Sequence, residues 1–203
     1  MPRIVGQVDE TKTEAILDAA ANLFAEKGIA TSMDAIARHA GVSKQTLYNR
    51  FASKTDLARA LAGRRSEQIT APLRSGGEPE TVLAAFAASL IEGVGVHKRA
   101  WIRSAALMSP HTPGVAEAVY DAGPAEGLRR LSAWLADQGR QGRVCIPDPD
   151  AAAEMFAGMV LGHSHLRAVL GIVPPEMATP QQRAKEVTHR FLRAFAPDDS
   201  IKP

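Results

Sequence analysis

Thr31-Ser32-Met33-Asp34-Ala35-Ile36-Ala37-Arg38-His39-Ala40-Gly41-Val42-Ser43-Lys44-Gln45-Thr46-Leu47-Tyr48-Asn49-Arg50-Phe51 reads as two short helices around a tight turn. The opening Thr31-x-x-Asp34 has the form of a capping box and predicts a helix from about Met33 to His39. Its inward face is Met33, Ile36, Ala37 and Ala40. Gly41 permits the left-handed backbone of the turn, and Val42 plugs the angle between the helices. Ser43 caps a second helix through Phe51, with Leu47 and Phe51 facing inward. That is the layout of a helix-turn-helix. The second helix keeps one apolar face on its domain and turns Lys44, Gln45, Thr46, Tyr48, Asn49 and Arg50 outward. Gln and Asn can pair bidentately with adenine, and Lys or Arg with guanine. Ser43, Tyr48 and Lys54 have the reach and chemistry for phosphates. The pattern implies a surface built for the major groove.

The charge of the surroundings agrees. From Gly28 to Arg65 the basic residues are Arg38, Lys44, Arg50, Lys54, Arg59, Arg64 and Arg65, against Asp34 and Asp56 alone, a local net charge of +5 on a chain of net +2. A positive patch on an otherwise nearly neutral chain suits a polyanion.

Outward from the motif, a preceding helix over about Thr11–Lys27 carries the apolar stripe Ile16, Ala19, Ala20, Leu23 and Phe24 and stops at Gly28. Ser53-Lys54-Thr55-Asp56 is another capping box, opening a fourth helix that fades before Pro72. Arg74 to Pro79 is a linker. Helices are predicted at about 79–96, 98–108, 114–122, 124–139, 149–170 and 180–195, with breaks at Pro110, Pro113, Gly123-Pro124, Pro147 to Pro149 and Pro174-Pro175. Alternating strand-like runs do not occur, so the class is all-α.

Together, Leu23-Phe24-Ala25-Glu26-Lys27-Gly28, the quoted stretch and Ser53-Lys54 resemble the signature of the TetR family of transcriptional regulators, over roughly residues 11–62. Ala118 to Pro124, and Arg143-Val144 with Asp148 to Ala153, resemble its AcrR/AefR-like group. The resemblance implies about nine helices. A three-helix DNA-binding head would occupy residues 1–62, and a larger ligand-binding and dimerisation bundle residues 63–203. It also implies a homodimer joined by its last two helices, released from operator DNA by a small hydrophobic effector. Carried over by position, its DNA contacts fall on Lys44, Gln45, Thr46, Tyr48, Asn49 and Arg50, with Ser32 and Lys54 on the backbone beside Ser43.

In the second half, the nearly all-round apolar segment 151–170 needs burial on two sides. The segment after it offers Val187, Phe191, Leu192 and Phe195 on one face. With Met155, Leu166 and Leu170 these are the expected dimer contacts, two helices from each chain making a four-helix interface. Phe86, Trp101, Met108, Trp134, Phe156, Met159 and His163 are candidates for an effector pocket.

Several classes are disfavoured. Cys145 is the single cysteine, which excludes an intramolecular disulfide or thiolate cluster, and its Val-Cys-Ile setting predicts a small buried hydrophobe. His163 and His165, two apart on a helix, point apart and do not chelate one metal. Gly162-His163-Ser164-His165-Leu166 lacks the closing glycine of a hydrolase elbow. No HExxH, P-loop or dinucleotide fingerprint is present. No catalytic residue, cofactor or metal is therefore expected. Apolar runs break well before the ~18 residues of a membrane span, and the N-terminus lacks a signal-peptide core, so the expected compartment is the cytoplasm. A small-molecule sequestering protein with a vestigial head is the alternative from another class; the intact motif and its patch count against it.

Overall fold

In the computed structural model, which describes residues 5–93, 114–170, 172 and 179–197, the chain forms nine α-helices among the described residues and no strand among them. These are α1 (Val5–Lys27), α2 (Met33–His39), α3 (Lys44–Tyr48), α4 (Lys54–Thr70), α5 (Pro79–Gly93), α6 (Val115–Tyr120), α7 (Glu126–Arg140), α8 (Pro149–Val169) and α9 (Pro180–Ala194). A 3₁₀ turn, Ala71–Arg74, follows α4, and a π turn, Asp121–Ala125, joins α6 to α7. Gly123-Pro124 thus does not break the helical path as expected. Proline has no N–H to donate, and a widened turn accommodates that loss.

The chain packs as two units that are not simple halves. One comprises Met1–Arg64 with Val96–Gly123, the other Arg65–Gly95 with Pro124–Pro203. The first has a core of Ile16, Leu17, Ala20, Leu23 and Phe24 from α1, Ile36 and Ala37 from α2, Leu47 from α3, and Leu57 and Leu61 from α4. Val115 and Val119 of α6 complete it. Gly28 ends α1 at φ 75°, its N–H donating to the Phe24 carbonyl at 3.1 Å. α1 begins at Val5, earlier than the expected Thr11.

The second unit has an aromatic centre. Phe86 of α5 stacks on Phe156 of α8 at 6.2 Å between ring centroids, Phe156 meets Phe191 of α9 edge-on at 4.9 Å, and Phe191 meets Phe195 at 4.8 Å. Leu83, Leu131, Leu135, Val160 and Val187 surround them. α5 approaches the end of α4 closely: a Cβ on Gly93 would lie 2.6 Å from Ile69 Cδ1, and Arg65 donates to the Gly93 carbonyl. Inside α8 the backbone breaks at Gly162 (φ 48°, ψ −151°). Arg183 of α9 spans the break, donating to the carbonyls of Met159 at 2.8 Å and Val160 at 3.1 Å. α9 opens with a full capping box between Thr179 and Gln182.

Cys145 is exposed, not buried as expected. It lies in a connection without regular structure, where Val144 turns inward and the next side chain turns out.

Candidate nucleic-acid interface

Local hydrogen bonding shapes the head from Gly28 onward. Thr31 was the expected cap of α2, but its hydroxyl donates to the Gly28 carbonyl at 2.9 Å and its side chain is buried. Ser32 takes the cap instead, its Oγ accepting the Ala35 N–H at 3.2 Å. The turn closes with Val42 N–H donating to the Ala37 carbonyl at 3.0 Å and Gly41 at φ 65°. Ser43 caps α3, its Oγ accepting the Thr46 N–H at 3.0 Å and sharing a 2.8 Å bond with the Thr46 hydroxyl. Leu47 is buried on the inner side of this five-residue helix, while Lys44, Gln45, Tyr48 and Asn49 are exposed and Thr46 half-buried. Spaced i, i+1, i+4 and i+5, the four exposed residues share one side of the helix.

Those side chains are paired with protein partners. Both carboxylate oxygens of Asp34 hold the Lys44 ammonium, at 2.9 and 3.1 Å. That hydrogen bond raises the Lys44 pKa above its ordinary value. Gln45 Nε2 donates to Asn49 Oδ1 at 2.7 Å. Arg50 departs from the expected reading face. It is half-buried, and its Nη1 donates to Thr13 Oγ1 of α1 at 2.8 Å, which ties the end of the motif to the first helix. Lys54 is half-buried at the start of α4, and burial lowers its pKa.

The basic patch is therefore thinner than its formal charge. Arg59 pairs with Asp56 at 2.9 Å, and Arg64 with both Glu14 and Asp18 of α1 at 2.8 Å. Arg65 turns to a carbonyl. Thr13, Glu14 and Asp18 were not singled out in the sequence, and Asp34 was read as a helix cap and not as the partner of Lys44. No helical periodicity links Asp34 to Lys44 or Thr13 to Arg50, because each pair spans two helices.

In the second unit, Phe86 and Phe156 are fully packed core, while Trp134 and Met159 are half-buried beside it and His163 is exposed just past the kink. Trp101 and Met108 lie outside the described residues. Of the expected dimer contacts, Met155, Leu166 and Leu170 are exposed at 52%, 53% and 63%, and Leu192 and Phe195 are half-buried. Val187 and Phe191 are not available to a partner. At 6% and 1% exposure they fill their own chain's core, because α9 lays its apolar stripe on α5 and α8.

With this geometry in hand, two family models cover most of the chain. The model of bacterial regulatory proteins of the tetR family matches residues 16–61, and that of the AefR-like transcriptional repressor C-terminal domain matches residues 81–197. The chain belongs to the TetR family. Solved relatives agree over nearly full length. The flavonoid-responsive regulator FrrA is 33% identical, with TM-score 0.65 and 92% of this chain and 97% of that one covered. A putative TetR-family regulator from Mesorhizobium loti MAFF303099 is 25% identical, with TM-score 0.75 and coverage of 93% and 98%. A TetR regulator from Agrobacterium tumefaciens is also 25% identical, with TM-score 0.72 and coverage of 92% and 95%. This TetR-family protein is a DNA-binding transcriptional regulator with an all-α fold: an N-terminal helix-turn-helix head and an AefR-like helical C-terminal region. Among the described residues no helix is long and apolar enough to cross a membrane.

Proposed function

We propose that this TetR-family regulator is a cytoplasmic homodimeric repressor, not an enzyme, that leaves its operator when a small hydrophobic effector binds. In this reading residues 1–62 carry DNA recognition and residues 63–203 carry effector binding and dimerisation. The observation behind the DNA assignment is α3 itself, held by Leu47 and capped by Ser43, with Lys44, Gln45, Tyr48 and Asn49 turned outward. Ser32, Ser43, Thr46 and Lys54 stand around it as phosphate or groove contacts. Arg50 supports the motif from behind.

The partner surface is the exposed side of α8. Met155 and Gly158 before the Gly162 break, and Leu166 and Leu170 after it, are exposed, and a Cβ at Gly158 would meet nothing within 4 Å. Large exposed apolar side chains grouped in this way mark an association surface. Two copies give two heads, and successive major grooves require recognition helices about 34–36 Å apart.

Effector chemistry follows from the half-buried Trp134 and Met159 beside the aromatic core, which suit a flat apolar ligand. FrrA is named flavonoid-responsive, so planar polyphenols are the first ligands to screen. α4 contributes residues to both units, which makes it one covalent route between effector and head. Coupling of ~1–3 kcal/mol is typical, and linkage makes operator DNA weaken effector binding by the same factor.

The deciding experiment is selection of bound DNA from random duplexes, then release of the selected operator by planar aromatic ligands. Binding to a palindromic site and reciprocal release support the reading. A wild-type protein that binds no duplex at low salt overturns it, and a tight ligand that leaves operator affinity unchanged overturns the effector half.

A further inference from the structure

We propose that Gln45 and Asn49 read DNA as a single amide unit specific for an adenine–thymine pair, while Asp34 withdraws Lys44 from guanine. The inference rests on the DNA-binding reading above and specifies the sequence class that the head prefers.

The two amides stand four residues apart on the outer side of α3, both exposed, with Gln45 Nε2 donating to Asn49 Oδ1 at 2.7 Å. Once that bond is made, the pair still offers one amide oxygen as acceptor and amide hydrogens as donors. Reversing both amides exchanges the roles of the two residues and leaves the same outward set. Adenine shows a matching edge in the major groove, the N7 acceptor beside the N6 donor. Guanine shows two acceptors, N7 and O6, and offers the amide oxygen no donor, so only part of the pair is satisfied there. A joined pair also holds each amide in position before DNA arrives, so less side-chain freedom is lost on binding.

Guanine is the task of cationic side chains, and both cations between Ser43 and Phe51 are engaged. Arg50 is half-buried on Thr13 of α1. Lys44 is held by both oxygens of Asp34 and lies 5.9 Å from the centroid of the Tyr48 ring. An exposed ion pair is weak by itself and phosphate could compete for the ammonium. The carboxylate keeps its sign wherever Lys44 turns, and so opposes a guanine edge or phosphate oxygen at that end of α3.

The test is selection from random duplexes with the full chain, comparing wild type, Gln45→Ala, Asn49→Ala, the double variant and Asp34→Asn. The expected wild-type half-site contains an A·T pair at one position that both single variants relax, each by roughly tenfold in discrimination. The double variant should lose little more than either alone. Replacing that adenine by 7-deazaadenine, which removes N7, should weaken wild type by a similar factor and scarcely affect either variant. Asp34→Asn should raise affinity for random duplexes and bring in a guanine preference beside the A·T position. The proposal is overturned if the two amide variants relax different positions with additive losses, or if the shared position is G·C. Asp34→Asn with unchanged guanine preference removes Asp34 from the scheme. A wild type that enriches a clear motif with additive losses leaves the DNA-binding reading standing. One that enriches nothing at low salt ends both.

Discussion

The head and the second unit are both helical, yet they are held by different chemistry. In the head, short bonds at single positions decide the geometry: Thr31 on Gly28, Ser32 and Ser43 as caps, Arg50 on Thr13, Lys44 on Asp34. In the second unit the centre is volume, a run of rings from Phe86 to Phe195 with aliphatic side chains around it. Directional bonds tolerate few residue types, whereas a core accepts many apolar combinations of similar size. A surface that must meet one operator belongs on the first kind of scaffold.

The largest expected effect comes from placing a charge in that aromatic run. Phe191→Glu should unfold the second unit, since an unpaired buried charge costs several kcal/mol, and loss of cooperative thermal unfolding is the readout. Leu166→Glu, at an exposed position on α8, should leave unfolding cooperative and convert dimers to monomers by sedimentation. If Phe191→Glu instead gives folded monomers, the assignment of α9 to its own core is wrong.

Next in size, Leu47→Ala should cost the head about 2–5 kcal/mol, as for other large-to-small core changes. DNA binding should be lost while sedimentation still reports a dimer. Arg50→Ala should cost about 1.5–3 kcal/mol at most, the range for hydrogen bonds to charged groups. Because Arg50 faces Thr13, the preferred DNA sequence should stay the same while affinity falls; a changed base at one position would return Arg50 to the reading face.

The smallest effect concerns acid. Arg130 joins Glu67 and Glu126 and donates to Thr70 at 3.0 Å. Hydrogen bonds from Arg130 hold the Glu67 carboxyl below its ordinary 4.5, and those from Arg129 and Arg130 do the same for Glu126. A carboxylate with a lowered folded pKa adds stability above 4.5 that disappears as pH falls through the lowered value. Glu67→Gln should therefore flatten the loss of stability below pH 4.5, measured by denaturant titration at successive pH values. An unchanged acid limb would show that the cluster contributes nothing.

Sequence reading reached most of this fold because its signals were local. Gly28, Gly41, Ser43 and Ser53 mark helix ends through contacts within a few residues, and the structure uses each in that way. It failed where a decision depended on a residue outside the helix being read. Thr31 and Ser32 are equivalent caps until Gly28 claims the Thr31 hydroxyl. Arg50 looks like a reader until α1 brings Thr13 beside it. Phe191 and Leu166 are equally apolar in sequence, and only the packing of α9 against α8 shows which one is covered. The start of α1 was missed because Val5, Gly6 and Val8 are weak helix formers and carry no apolar stripe.

The break at Gly162 divides α8 into parts with separate obligations. Before it, Ala152, Phe156 and Val160 answer to the chain's own interior while Met155 faces outward; after it, Leu166 and Leu170 face outward. Arg183 satisfies the carbonyls of Met159 and Val160, so the end of the first part is closed without help from the second. A substitution after the break therefore alters Leu166 or Leu170 while Ala152, Phe156 and Val160 stay packed. In a dimer built on this face, the choice of partner would be free to drift without loosening the fold.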